Sequence, residues 1–168
     1  MNIPQEFVVV DIETTGLKPA GAEIIEVAAV KVKNGEIVDV FQALIRPEYG
    51  IPAFITNFTG ITEEMVESAP HIAEILLPFC EFIDQLPIVG HNVQFDLNFL
   101  NHNTKQYFGH VIKNPSIDTL ALARKSVKDT KNHKLETLAH YFGIDASNNH
   151  RALKDVYMTL DLYEKLTL

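Results

Sequence analysis

The stretch FVVVDIET, residues 7–14, constrains the fold most, because an apolar run that otherwise reads as a buried strand ends in two carboxylates. Side chains in a strand alternate faces, so Phe7, Val9, Asp11 and Glu13 share one face while Val8, Val10 and Ile12 share the other. Both acids therefore point the same way. At the rim of a low-dielectric core, like charges that close repel and lose hydration, so either one stays protonated or something cationic sits between them. The expected occupant is a metal ion.

At 168 residues with 46% hydrophobic side chains, the chain suits one compact domain, 1–168, with a substantial core. The N-terminal MNIPQEF lacks a basic region followed by an apolar segment, and no stretch approaches the roughly 18 apolar residues of a membrane span. A soluble cytoplasmic protein with no membrane partner is expected. The one cysteine, Cys80, lies inside the apolar pattern ILLPFCEFI and is expected to be a buried, inert thiol. The net charge of −8 argues at first sight against a polyanionic partner. Placement weakens that objection, because Arg124, Lys125, Lys128, Lys131 and Lys134 crowd into RKSVKDTKNHK against a single acid, Asp129. Such a patch suits phosphates, and equally a solvated helix end and loop.

IIEVAAVKVKNGEIVDVFQALIRP holds two apolar runs around Asn34-Gly35, a dipeptide that tolerates the positive φ of a two-residue hairpin turn. From residue 71 the texture becomes helical, with HIAEILLPFCEFIDQL, a short strand PIVG, then NVQFDLNFLNHNTKQYF, IDTLALARKSV, KLETLAHYFGI and HRALKDVYMTLDLYEKL as further helical patterns. Strands first and βα alternation afterwards fit an α/β chain with a mixed sheet flanked by helices.

Three more residues stand out. Asp96 shares a helix side with Phe99 and Leu100, and an acid on an apolar stripe needs a partner. It could instead complement the helix dipole, although Asn92 is the better cap. His150 and Asp155 are five residues apart, which on a regular helix leaves them ~140° apart. His150 is therefore placed just before the helix, with Asn149 or Ser147 as cap and Asp155 on the second turn beside Ala152 and Thr159. Taken singly, these are also compatible with an exposed histidine and a surface aspartate. Taken together, four acids and a histidine form a hard, oxygen-rich set suited to Mg²⁺ or Mn²⁺ rather than zinc. Two divalent ions about 3.5–4 Å apart serve in-line displacement at phosphorus. A histidine with an ordinary pKa near 6.5 is a natural base for the attacking water.

VVDIETTGL, HNVQFDLNFL and HRALKDV, in this order and spacing, resemble the three exonuclease motifs of the DEDD superfamily in its histidine-bearing subgroup. FTGITEEMVESAP, IDTLALAR and KLETLAHYFGI extend the likeness over nearly the whole chain. The resemblance is nearest to the proofreading epsilon subunits of bacterial DNA polymerase III and the exonuclease domain of Gram-positive replicative polymerases. It implies a ribonuclease-H-like fold and metal-dependent 3′→5′ exonuclease activity of proofreading or repair type on single-stranded DNA ends, using two divalent cations. By the same resemblance, Asp11, Glu13 and Asp155 hold one ion, Asp11 bridges to the second, Asp96 completes the acidic set directly or through water, and His150 is the general base. Thr14 receives the terminal 3′ hydroxyl, Leu17 and Phe95 flank the last nucleotide, and Phe58 and Ile61 of the FTGI segment wedge against the terminal bases. Asn92 and His91 are further contacts. A DNA polymerase subunit is an implied partner, although epsilon subunits continue into a tethering segment and this sequence ends at YEKLTL. An RNA exonuclease would keep the same metals and base and differ at the 2′-hydroxyl. A catalytically dead binding module has no need of clustered, mutually repelling acids, and a purely structural acidic site leaves His150 without a role.

Overall fold

In the computed structural model, which describes residues 3–168, strands β1 (Glu6–Thr14), β2 (Ile24–Lys33), β3 (Glu36–Leu44), β4 (Ile88–Gly90) and β5 (Ser116–Asp118) form one sheet in the order β3-β2-β1-β4-β5. β1–β2 and β2–β3 are antiparallel, whereas β1–β4 and β4–β5 are parallel, so the sheet is mixed as the order of patterns implied. Lys33 pairs with Glu36 across a two-residue turn in which Asn34 (φ 51°) and Gly35 (φ 81°) are both left-handed. The asparagine and glycine accept that backbone at little cost, which is why the hairpin was readable.

Among the described residues seven helices accompany the strands: α1 (Ala53–Thr59), α2 (Glu63–Val66), α3 (Ile72–Ile83), α4 (Val93–Phe108), α5 (Thr119–Ser126), α6 (Leu135–Phe142) and α7 (Ala152–Thr167). The alternation in β1 sorts the core into two layers. Val8, Val10 and Ile12 pack on α3 and α4 through Leu76, Phe79, Leu97 and Leu100. Phe7 and Val9 face α7, meeting Val156, Leu160 and Tyr163 together with Ala28 and Val30 of β2. α7 is covered on its far side by α5 and α6 through Met158, Leu162, Ala123 and Leu138. Asp11 and Glu13 share parity with Phe7 and Val9, so they project toward the N-terminus of α7.

Two expectations are corrected, and two short helices were not foreseen. IDTLALARKSV is not helical throughout, because Ser116–Asp118 pair with β4 as an edge strand before α5 begins. α1 and α2 have no helical signal in the sequence reading; at 7 and 4 residues they are too short for periodicity and rest on the cluster of Ile25, Ile55, Ile61 and Val66. Cys80 is half-buried rather than fully so, and burial pushes its thiol pKa up, which keeps it protonated. No helix among the described residues is long and apolar enough to cross a membrane.

Candidate active site

β4 pairs with β1 only at Val8–Ile88 and Val9–Val89, so the C-terminal part of β1 runs on past its parallel neighbour. The backbone of β1 is left exposed on that side, and Asp96 of α4 meets it: the Ile12 N–H donates to Asp96 Oδ1 at 3.0 Å. A cleft of ≈ 680 Å³ opens at the carboxyl ends of β1 and β4, and Asp11, Glu13, Asp96, His150 and Asp155 all line it. Clefts beyond the carboxyl ends of parallel strands, where the sheet changes direction, are the usual ligand positions of such sheets.

Carboxylate oxygens of Asp11, Glu13 and Asp155 all lie within 4.8 Å of one another. Three hard oxygen donors at that spacing fit a divalent cation such as Mg²⁺ or Mn²⁺. Asp96 stands outside this triad, with one oxygen tied to Ile12. The electrostatics agree. Burial, then the charges of Asp96, Glu13 and Asp155, hold Asp11 well above the ordinary carboxylate range. Burial and then Asp155 push Glu13 up to about 9, against a lowering pull from Arg151. Burial pushes Asp96 up to about 8 and Asp155 up to about 6, each restrained by backbone N–H donors. A cation in the triad would relieve this repulsion.

His150 precedes α7, as the spacing required, in a left-handed backbone (φ 66°). Its N–H donates to both oxygens of Asp155, at 3.3 and 3.2 Å, so the candidate base and a candidate ligand are joined through the backbone. The His150 ring lies against Phe58 with centroids 3.8 Å apart and ring planes tilted by 31°, and burial lowers its pKa below 6.5. The ring is thus neutral near pH 7.

The expected cap residues do not cap. Neither Ser147 nor Asn149 bonds the first turn of α7, whose N-cap position is Arg151. Glu26 does so from β2: its Oε1 accepts from the Ala152 N–H at 2.8 Å, and both its oxygens accept from Arg151, at 3.1 Å from Nε and 2.7 Å from Nη2. Glu26 has 0% exposure and sits opposite Glu13 in the β1–β2 register. Two like charges facing each other across a ladder destabilise it, and the Arg151 guanidinium offsets that. Sequence reading missed Glu26, although an acid interrupting IIEVAAV is the same kind of signal as VVVDIE. Arg151→Met would leave the Glu26 charge buried and unpaired, and should cost roughly 3–5 kcal/mol. At roughly 2–4 °C per kcal/mol, thermal melts should show a large fall that the added Glu26→Gln substitution largely restores. A single variant melting within about 2 °C of the parent would show that the pair does not hold the α7 N-terminus.

The cleft also brings together Leu17 (84% exposed), Phe58 (57% exposed), Phe95 and Asn92. Three placements differ from expectation. Ile61 is fully buried with Ile25, Ile55 and Val66, so it supports the Phe58 segment and does not face the cleft. The Thr14 hydroxyl donates to the Gly16 carbonyl at 2.7 Å and its buried side chain does not line the cleft, because it is committed to shaping the turn. Asn92 occupies the α4 N-cap position with φ 61°, but its side chain makes no cap bond; its own N–H donates to Asp118 Oδ1. His91 lines the cleft as expected, with both ring nitrogens engaged, Nε2 with the His133 carbonyl and Nδ1 with the Thr119 hydroxyl, each at 2.9 Å. A carbonyl only accepts, so Nε2 carries the proton, and the neutral ring, favoured by a burial-lowered pKa, accepts from Thr119. His91 is thus a strut between β4 and the loop at His133.

A family model described as RNase_T, exonuclease, matches residues 8–163. The chain is 42% identical over 160 residues to the DNA polymerase III subunit epsilon of Aquifex aeolicus, covering 95% of this chain and 79% of that protein. It is 45% identical over 165 residues to the PolC-type DNA polymerase III of Caldanaerobacter subterraneus, covering 98% of this chain but spanning only 12% of that relative's length. Among solved structures it resembles exonuclease X in complex with 5′ overhanging duplex DNA, with 28% identity and a TM-score of 0.77, covering 95% of this chain and 90% of that one.

Proposed function

The chain belongs to the RNase_T exonuclease family, and on that premise we propose that it is a metal-dependent 3′→5′ exonuclease that removes mononucleotides from single-stranded DNA ends. The observation that carries this reading is the Asp11, Glu13 and Asp155 triad, with carboxylate oxygens within 4.8 Å of one another beside a neutral His150. Asp11, Glu13 and Asp155 would hold a divalent cation, and Asp96 supports β1 through Ile12 while contributing charge to the same cleft. The bound cation would neutralise the scissile phosphate and lower the pKa of the attacking water. His150 Nδ1 or Nε2, unprotonated at neutral pH, takes the proton from that water. Leu17, Phe58 and Phe95 offer apolar and aromatic faces to the terminal nucleotides, and Asn92 a polar contact. Stacking of this kind reads no sequence and suits an enzyme that must accept any end. The names of the epsilon and PolC-type relatives support placing this activity beside a DNA polymerase, as proofreading or repair of its product.

The test is digestion of matched DNA and RNA single strands carrying a 5′ label, in Mg²⁺ or Mn²⁺ and in chelator. A ladder that shortens from the 3′ end, faster on DNA and abolished by chelator, is the expected result. Release of the label as a mononucleotide, or activity indifferent to chelator, would overturn the assignment; faster loss of the RNA would move the substrate class to RNA.

A further inference from the structure

The five cations of the RKSVKDTKNHK segment are all exposed, and none of them has an ion-pair partner among the described residues. They are not scattered. Arg124 and Lys134 line the same cleft as the acidic triad, while Lys125, Lys128 and Lys131 lie between them on the end of α5 and the loop to α6, outside the cleft lining. This loop is fastened from both sides. His91 Nε2 holds the His133 carbonyl, His133 Nε2 holds the Val127 carbonyl at 2.9 Å, and Val127 is buried against Leu138 and Met158. Its cations are therefore presented from a braced segment, in a protein whose net charge is −8.

The cleft is lined by two unlike kinds of group. Leu17 and Phe58 are exposed and apolar, whereas Arg124 and Lys134 are basic. A nucleic-acid strand carries the matching two, bases that stack and phosphates that meet cations. We propose that Lys125, Lys128 and Lys131 form a track for the phosphodiester backbone of the strand upstream of the 3′ terminal nucleotide, leading out of the cleft from Arg124 and Lys134. The partner is a single strand with several phosphates 5′ to the scissile bond. The track overcomes the repulsion that the net negative charge exerts on a polyanion and makes long strands better substrates than short ones. It rests on the exonuclease reading for where the strand ends, and on the charge placement alone for where the strand runs.

The test compares the parent with K125Q/K128Q/K131Q by two measurements. Fluorescence anisotropy of a labelled 20-nucleotide DNA single strand, in chelator and over a series of salt concentrations, reads the track without any catalysis. Three lost phosphate contacts at ~0.7 each should make the slope of log K against log salt shallower by about 2, and weaken binding about 10-fold or more at low salt. Turnover of the same strand is then set against that of the p-nitrophenyl ester of thymidine 5′-monophosphate, which has no upstream phosphate. The ratio of kcat/KM on the strand to kcat/KM on the ester should fall about 10-fold in the variant. An unchanged salt slope and an unchanged ratio would overturn the track, and would assign the patch to solvent or to an acidic protein. A parent inactive on both substrates, whose anisotropy slope still depends on the three lysines, would instead overturn the exonuclease reading and leave the track standing.

Discussion

In chelator at pH 8, the Asp155→Asn variant should melt a few degrees above the parent while losing nearly all nuclease activity. Burial holds Asp155 at about 6, and Glu13 and Asp96 at about 9 and about 8, against unfolded values near 4. Between the two sets of values the folded state binds more protons than the unfolded one. Metal-free stability must therefore fall as pH rises, from about pH 4 to about pH 6 for Asp155 and on to about pH 9 for the other two. Asparagine nearly keeps the volume and can still accept from the His150 N–H, but it carries no charge. The metal-free variant should thus lose the part of this decline that lies between about pH 4 and about pH 6. Asp96→Asn should behave likewise, with its gain building from about pH 4 to about pH 8 and its bond to Ile12 retained. Divalent cation should reverse the order. At about 100 times its dissociation constant an ion binding only the folded state adds about 2.7 kcal/mol per site, so the parent should gain more from Mn²⁺ than either variant. Thermal melts of the three proteins across pH, with chelator and with Mn²⁺, decide the matter. If both variants melt lower than the parent in chelator and the parent does not respond to Mn²⁺, the acids are structural partners of one another.

His150→Ala should lower kcat by roughly 10²- to 10⁴-fold, the usual scale for loss of a general base. The parent's rate should rise with pH through a pKa below 6.5, because burial lowers that of His150, and the variant should lack this limb. Metal affinity should scarcely change. The contact between position 150 and Asp155 is made by the backbone N–H, which alanine retains, so the Mn²⁺-induced rise in melting temperature should match the parent's. His150→Asn is the companion control, since asparagine tolerates the left-handed backbone better than alanine does. Near-parental turnover in both variants would move the base elsewhere. A collapsed Mn²⁺ response in both would show that the loop geometry, and not proton transfer, was lost.

Much of the site was legible because periodicity is local. Two-residue alternation alone put Asp11 and Glu13 on one face of β1, and five-residue spacing alone put His150 ahead of α7 rather than on it. Asn34-Gly35 fixed its hairpin because only certain residues accept two consecutive positive φ angles. The strand-then-βα order determined a mixed sheet flanked by helices, and the three motifs determined the family. Periodicity says which face a side chain occupies but not what lies opposite it. Only the β1–β2 register set Glu26 against Glu13, and only the docking of α7 delivered Arg151 and Ala152 to that buried carboxylate across 126 residues of sequence. The early end of β4 left the Ile12 N–H free for Asp96, 84 residues away. Packing of α1 and α2 likewise buried Ile61 while leaving Phe58 free to lie against His150. Each of these depends on which surfaces meet when the whole chain closes, and a long-range pairing of that kind leaves no period in the sequence.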